Sequence, residues 1–182
     1  MAETKGNNFH YLLHAILYNT AWLSCMILSA QGYAWASFFI TMICVGLQLV
    51  WQYKVQHHTY GLWYLIAIVV FVSTITDSLL VLNNIIVFAA NPFAPFLTPP
   101  WMISIWISFT VILYSTLFNL FNYLVMLGLL SFAGFAAAYG VGAKIGAAYF
   151  PYGYQTCFVV GAIWLIFLPA IAYVYKKSMG II

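Results

Sequence analysis

Leu62-Trp63-Tyr64-Leu65-Ile66-Ala67-Ile68-Val69-Val70-Phe71-Val72-Ser73-Thr74-Ile75-Thr76-Asp77-Ser78-Leu79-Leu80 runs for nineteen residues with one charged side chain among them. About 20 mostly apolar residues, coiled as a helix, cross the hydrocarbon core of a bilayer. The first eleven residues of this run match that pattern with no strongly polar group. The remainder, Ser73 to Ser78, is unusually polar for such a segment, and it carries an acid. A carboxylate at bilayer depth is costly unless it faces protein or a water-filled cavity. The stretch therefore reads as one helix of a membrane bundle whose Asp77 points inward.

The rest of the chain repeats the pattern. Of 182 residues, 66% are hydrophobic and 4% are charged, against roughly 25% charged in soluble domains. That balance excludes a water-soluble globule, and it excludes disorder, which needs low hydrophobicity and high charge. Nucleic-acid binding is excluded as well, because there is no arginine and the five lysines are scattered. Six spans are expected, at 11–29, 35–51, 62–88, 101–121, 124–150 and 156–175, in an all-α polytopic bundle forming a single transmembrane domain. Gln31-Gly32-Tyr33, the loop from Gln52 to Gly61, the four prolines between Asn91 and Pro100, and Pro151-Tyr152-Gly153-Tyr154 punctuate them. Only Asn122-Tyr123 separates spans four and five. Spans three and five are long, which predicts tilt or a short non-helical end. With the N-terminus inside, Lys5, Lys54, Lys176 and Lys177 all fall on the cytoplasmic side and the opposite loops carry no charge, so the expected topology is N-in and C-in. No clean cleavage site follows the first apolar run, so it reads as a span and not as a signal peptide.

Two ionisable groups fall inside the spans. Asp77 lies fifteen residues past Leu62, about 22 Å along its helix, and Lys144 lies twenty past Leu124, about 30 Å along its own. Both counts reach the outer half of the membrane. The pair is expected either to form a buried ion pair, or to line an outward-facing polar pocket, with Lys144 alternatively snorkelling to the interface. Ser73 and Asn84 lie four residues before and seven after Asp77, near one helical face. Span four carries Ser104, Ser108, Ser115, Asn119 and Asn122 within about 60° of arc, which implies interhelical hydrogen bonds or a hydrated cleft against span three. Span two offers Thr41, Cys44, Gln48 and Gln52 in a comparable stripe. The ligand-binding candidates are accordingly Asp77, Lys144, Ser73, Asn84, Ser108, Ser115 and Asn119.

Span five is rich in small residues, with Gly134, Ala138, Gly142 and Gly146 at intervals of four. Small residues on several faces allow close backbone approach and predict a central position for this helix. His10 and His14 are one turn apart and His57-His58 are adjacent. Two histidines at that spacing can share a metal, but no carboxylate or cysteine accompanies them, so they are read as an interfacial polar face, with no metal and no cofactor expected. Cys25, Cys44 and Cys157 read as small buried hydrophobes. No nucleophile–base pair is visible and no catalytic residue is assigned.

Several elements resemble a family of bacterial multipass membrane proteins, the domain of unknown function 2878. They are Trp22-Leu23-Ser24-Cys25 with Gly32 and Trp35, Asp77-Ser78-Leu79-Leu80, Pro100-Trp101-Met102 with Trp106 and Phe109, Tyr139-x-x-Gly142-x-Lys144-Ile145-Gly146, and Pro169. Their order and spacing carry the resemblance along most of the chain. It departs from the family pattern at Leu113-Tyr114-Ser115-Thr116, where a Leu-Asn-His-Ser-like cluster would stand, and at Gly134-Phe135-Ala136, where the family has Gly-Gly-Pro. The resemblance implies a bacterial inner-membrane location and a link to membrane-lipid metabolism. It implies no activity. The expected function is small-molecule or lipid binding or transport through the outward polar site. The competing expectation is an accessory or scaffold subunit of a membrane enzyme complex, with another membrane protein as partner. The bilayer is the expected environment in both.

Overall fold

The computed structural model describes residues 8–56 and 59–182. Lys5 and the His57-His58 pair fall outside them. Among the described residues six helices follow one another: α1 (Asn8–Ala30), α2 (Ala34–Gln56), α3 (Tyr60–Leu82), α4 (Pro100–Thr116), α5 (Leu124–Ile145) and α6 (Thr156–Ser178). The chain is a membrane helix bundle. Five helices are long and apolar enough to cross a bilayer, and α4, at 17 residues, is shorter. A 3₁₀ turn over Phe118–Asn122 continues α4, and α5 begins at Leu124, so the weakly marked break at Asn122-Tyr123 falls where the polar pair put it. Helical crossing segments meet the demand of a bilayer, since each backbone N–H and C=O finds its partner within the segment.

The excess length of spans three and five is accounted for by non-helical ends. α3 stops at Leu82. Asn84 takes a left-handed conformation with φ 52°, and the Ile85 N–H reaches back to the Leu80 carbonyl at 2.9 Å. α5 stops the same way, with Gly146 at φ 94° and the Ala147 N–H donating to the Gly142 carbonyl at 2.9 Å. These are Schellman-type ends, which satisfy carbonyls that a helix leaves orphaned. The two freed segments then pair with each other. β1 (Val87–Phe88) and β2 (Ala148–Tyr149) form an antiparallel ladder, Val87 opposite Tyr149 and Phe88 opposite Ala148. The proline-rich connection beyond β1 is tied down by Asn91, whose side chain bonds the Phe93 N–H and the Leu97 carbonyl, and by the Ser78 hydroxyl, which accepts the Thr98 N–H at 3.0 Å.

The central helix is α4, not α5. Twelve of the 17 residues of α4 are buried, including Trp101, Trp106, Ser104 and Ser108, and it packs against α1, α2 and α3. The small residues of α5 serve a narrower purpose. They let α5 lie tightly on α6, its main neighbour. A Cβ at Gly128 would stand 2.8 Å from the Leu165 carbonyl oxygen, and one at Gly161 would stand 2.7 Å from the Phe132 carbonyl oxygen. Each helix thus offers a glycine to the backbone of the other. Ala133, Gly134 and Ala137 are exposed, so smallness on those faces does not mark burial.

Gly128→Ala and Gly161→Ala should each force α5 and α6 apart, at an overpacking cost of about 1–3 kcal/mol. Gly134→Ala, which meets nothing within 4 Å, should leave stability unchanged. Thermal unfolding of the three variants in the same detergent checks the contrast.

Candidate functional site

Asp77 sits on the inner face of α3, fully buried, one turn above the equally buried Ser73. Its carboxylate is held from two other helices. The Trp106 indole N–H of α4 donates to Oδ2 at 2.8 Å, and the Tyr139 hydroxyl of α5 donates to Oδ1 at 2.6 Å. One acid therefore ties α3, α4 and α5 together through neutral donors. Hydrogen bonds to a charged acceptor are the stronger kind, and in an apolar surround a carboxylate without them would be prohibitively costly.

Lys144 does not pair with Asp77. It is exposed in the last turn of α5. The reason is azimuth. Lys144 lies five residues beyond Tyr139, a rotation of about 140° at 3.6 residues per turn, so when Tyr139 faces Asp77 the lysine faces outward. Equal depth on two helices does not make two side chains neighbours.

Trp106 and Tyr139 have a second role. Both line a cavity of about 50 Å³ between α1, α4 and α5, which Tyr18, Trp22, Trp101, Phe109 and Phe135 also line, with Phe88 at the ladder end. A water needs roughly 10–15 Å³ measured in this way, so the space takes a few waters or one compact chemical group. Two of its lining residues, Trp106 and Phe135, belong to a ring cluster. Trp106, Phe135 and Trp164 have centroids 4.4 to 5.1 Å apart, within the range in which aromatic rings attract. The walls are predominantly aromatic faces, which receive apolar or cationic groups.

The other sequence candidates divide. Ser73 shares the Asp77 face, its hydroxyl turned to the Val70 carbonyl. Asn84 is exposed, because α3 has already ended, and helical spacing from Asp77 no longer applies. Ser108 faces α2, donating to Gln48 Oε1 at 2.8 Å. Ser115 is buried and bonds within α4. Asn119 is exposed in the 3₁₀ turn, where the tightened winding takes it off the α4 stripe. The stripe of α4 thus looks toward α2 and not into a cleft with α3. Trp106 and Tyr139, the residues that hold Asp77, were not among the candidates. Both do fall within the elements that carried the family resemblance, as do Trp22, Trp101, Phe109 and Gly142, all on the cavity wall.

A family model described as Protein of unknown function (DUF2878) matches residues 11–170. No curated protein and no solved structure matches the chain.

Trp106→Phe and Tyr139→Phe each remove a donor from a buried acceptor. Each should cost about 1–3 kcal/mol, the penalty for leaving such a group unsatisfied. Lys144→Met should stay within about 0.5 kcal/mol, as exposed substitutions do, and should not rescue Asp77→Asn. Unfolding midpoints of the single and double variants test this. A Lys144→Met loss as large as that of Trp106→Phe would contradict it.

Proposed function

The chain belongs to the DUF2878 family, and we propose that it is a ligand-binding protein of the bilayer, seating a small molecule or one group of a lipid in the aromatic cavity in front of Asp77. The observation that carries this reading is the double use of Trp106 and Tyr139. Each gives its polar atom to Asp77 and turns ring surface toward the cavity. A ring fixed by such a bond is pre-organised, and pre-organised walls lower the ordering cost of binding. Were the carboxylate only a clamp for packing, nothing would require both of its donors to border the same cavity.

Of the described lysines, Lys144 sits alone at one end of the bundle, in the last turn of α5, and Lys54, Lys176 and Lys177 sit at the opposite end, where α2 and α6 finish. Lys176 donates there to Asn122, between α4 and α5, at 3.0 Å. We take that end as cytoplasmic, in a bacterial inner membrane as the family resemblance implies. The cavity, bordered by Phe88 and Ala148 of the ladder, then belongs to the outer half, as binding protein or as the binding step of a transporter.

Native mass spectrometry of the protein extracted in membrane-patch nanodiscs tests the reading. The wild type should carry a small-molecule or lipid adduct. Ala138→Leu, which grows into the cavity wall without touching Asp77, should lose it at an unchanged thermal midpoint. A bare wild type, or an adduct that persists in Ala138→Leu, overturns the proposal. A bare chain accompanied by a second membrane protein would replace it with the complex-subunit reading.

A further inference from the structure

The opposite side of α4 holds a different kind of site. His10 and His14 on α1 are not an interfacial polar face but are buried, at 3% and 0% exposure. Their rings lie 4.6 Å apart between centroids, nearly perpendicular. Gln48 and Gln52 on α2 are fully buried as well. Gln52 is the polar neighbour of His14, and the Ser115 backbone is that of His10. Phe9 packs on Trp51 at the same level. Among the described residues ten buried side-chain nitrogen and oxygen atoms have no direct hydrogen bond of good geometry, and seven of them belong to these α1 and α2 side chains: His10 Nδ1, both nitrogens of His14, Gln48 Nε2, Trp51 Nε1, and Nε2 and Oε1 of Gln52. Buried polar groups are almost always paired. The His14–Gln52 and His10–Ser115 contacts can satisfy at most three of these seven atoms, and the rest call for an occupant.

The chemistry of the orphans identifies it. Two imidazoles one turn apart on a helix are spaced to meet one ion. Ring centroids 4.6 Å apart suit an ion about 2.0–2.1 Å from each nitrogen and leave no room between the rings for an organic molecule. The Gln52 carbonyl supplies an oxygen. The remaining groups, Gln48 Nε2 and Trp51 Nε1, are donors and cannot ligate a cation, but they can bond a water or anion completing its shell. The location fits an ion from solution. His10 is in the first turn of α1 and Gln52 near the end of α2, so the site lies about 3–9 Å from the helix start. We propose that the α1–α2–α4 interface binds a late first-row transition-metal ion, for which imidazole is the suited ligand, through His10, His14 and the Gln52 amide oxygen.

The test uses the whole chain, chelator-stripped in nanodiscs, titrated with Co²⁺ and followed by its visible d–d absorption, then competed with Zn²⁺. One Co²⁺ per chain should bind and be displaced by zinc. Gln52→Leu should weaken binding about 10- to 100-fold, the scale of losing a supporting ligand group, and His10→Asn and His14→Asn by more. The double variant His57→Ala/His58→Ala should bind as the wild type does. Thermal midpoints without metal identify any variant that fails to fold, and His10→Asn and Gln52→Leu decide the matter if the deeper His14→Asn does. Absence of uptake by the wild type leaves a hydrated cluster and overturns the proposal. So does uptake that survives His10→Asn and Gln52→Leu, or that vanishes with His57 and His58.

Discussion

A carboxylate inside a bundle in lipid has no water to lean on, and the arrangement around Asp77 follows from that constraint. Its two oxygens need donors, and the donors must come from other helices, because the N–H groups of α3 are already bonded within its own ladder. Trp106 and Tyr139 supply them. Both are large rings that donate through one edge atom and keep most of their surface apolar, so they satisfy the acid without bringing further polar groups into the core. The acid thereby fixes the rotation of α4 and α5 about their axes. Apolar packing alone would leave that rotation weakly specified, since lipid and leucine are almost equally good neighbours for a helix.

Much of this is legible from the chain. The spans can be read because a bilayer imposes a minimum length on apolar runs, and the inward placement of Asp77 follows from the cost of the alternative. The ends of α3 and α5 are not legible, because Asn84 and Gly146 stop their helices through local left-handed conformations inside runs that stay apolar beyond them. The Asp77–Lys144 pairing fails for a related reason. Counting residues gives depth along a helix, but azimuth needs a reference face, and α5 has small residues all round. Tyr139 is that reference; only its place in the Tyr139-x-x-Gly142 element of the family resemblance sets it apart from a tyrosine that anchors a span at the membrane surface.

The histidines mislead in the opposite direction. Near the start of a span, an interfacial position is the cheaper assumption for His10 and His14. What buries them is the packing of α1 against both α2 and α4, with Gln52 of α2 against His14 and the Ser115 backbone of α4 against His10. The stripes of Gln48 with Gln52 and of Ser108 with Ser115 are visible separately. That they converge depends on the order of helices in space, and no periodicity encodes that order.

The position of α4 makes the two polar regions parts of one element. Trp106 and Ser108 are two residues apart, and so about 160° apart around the helix axis. One side carries the indole to Asp77 and the cavity, while the other carries the hydroxyl to Gln48 and the histidine cluster. A short helix enclosed by α1, α2 and α3 cannot slide or turn to widen the cavity without lengthening the Ser108–Gln48 bond on its far side. Packed interiors shift between discrete arrangements and do not deform continuously. Any rearrangement of α4 on filling the cavity must therefore be compatible with the geometry of Gln48 and its neighbours, and an occupant of either region acts on the same helix from opposite faces.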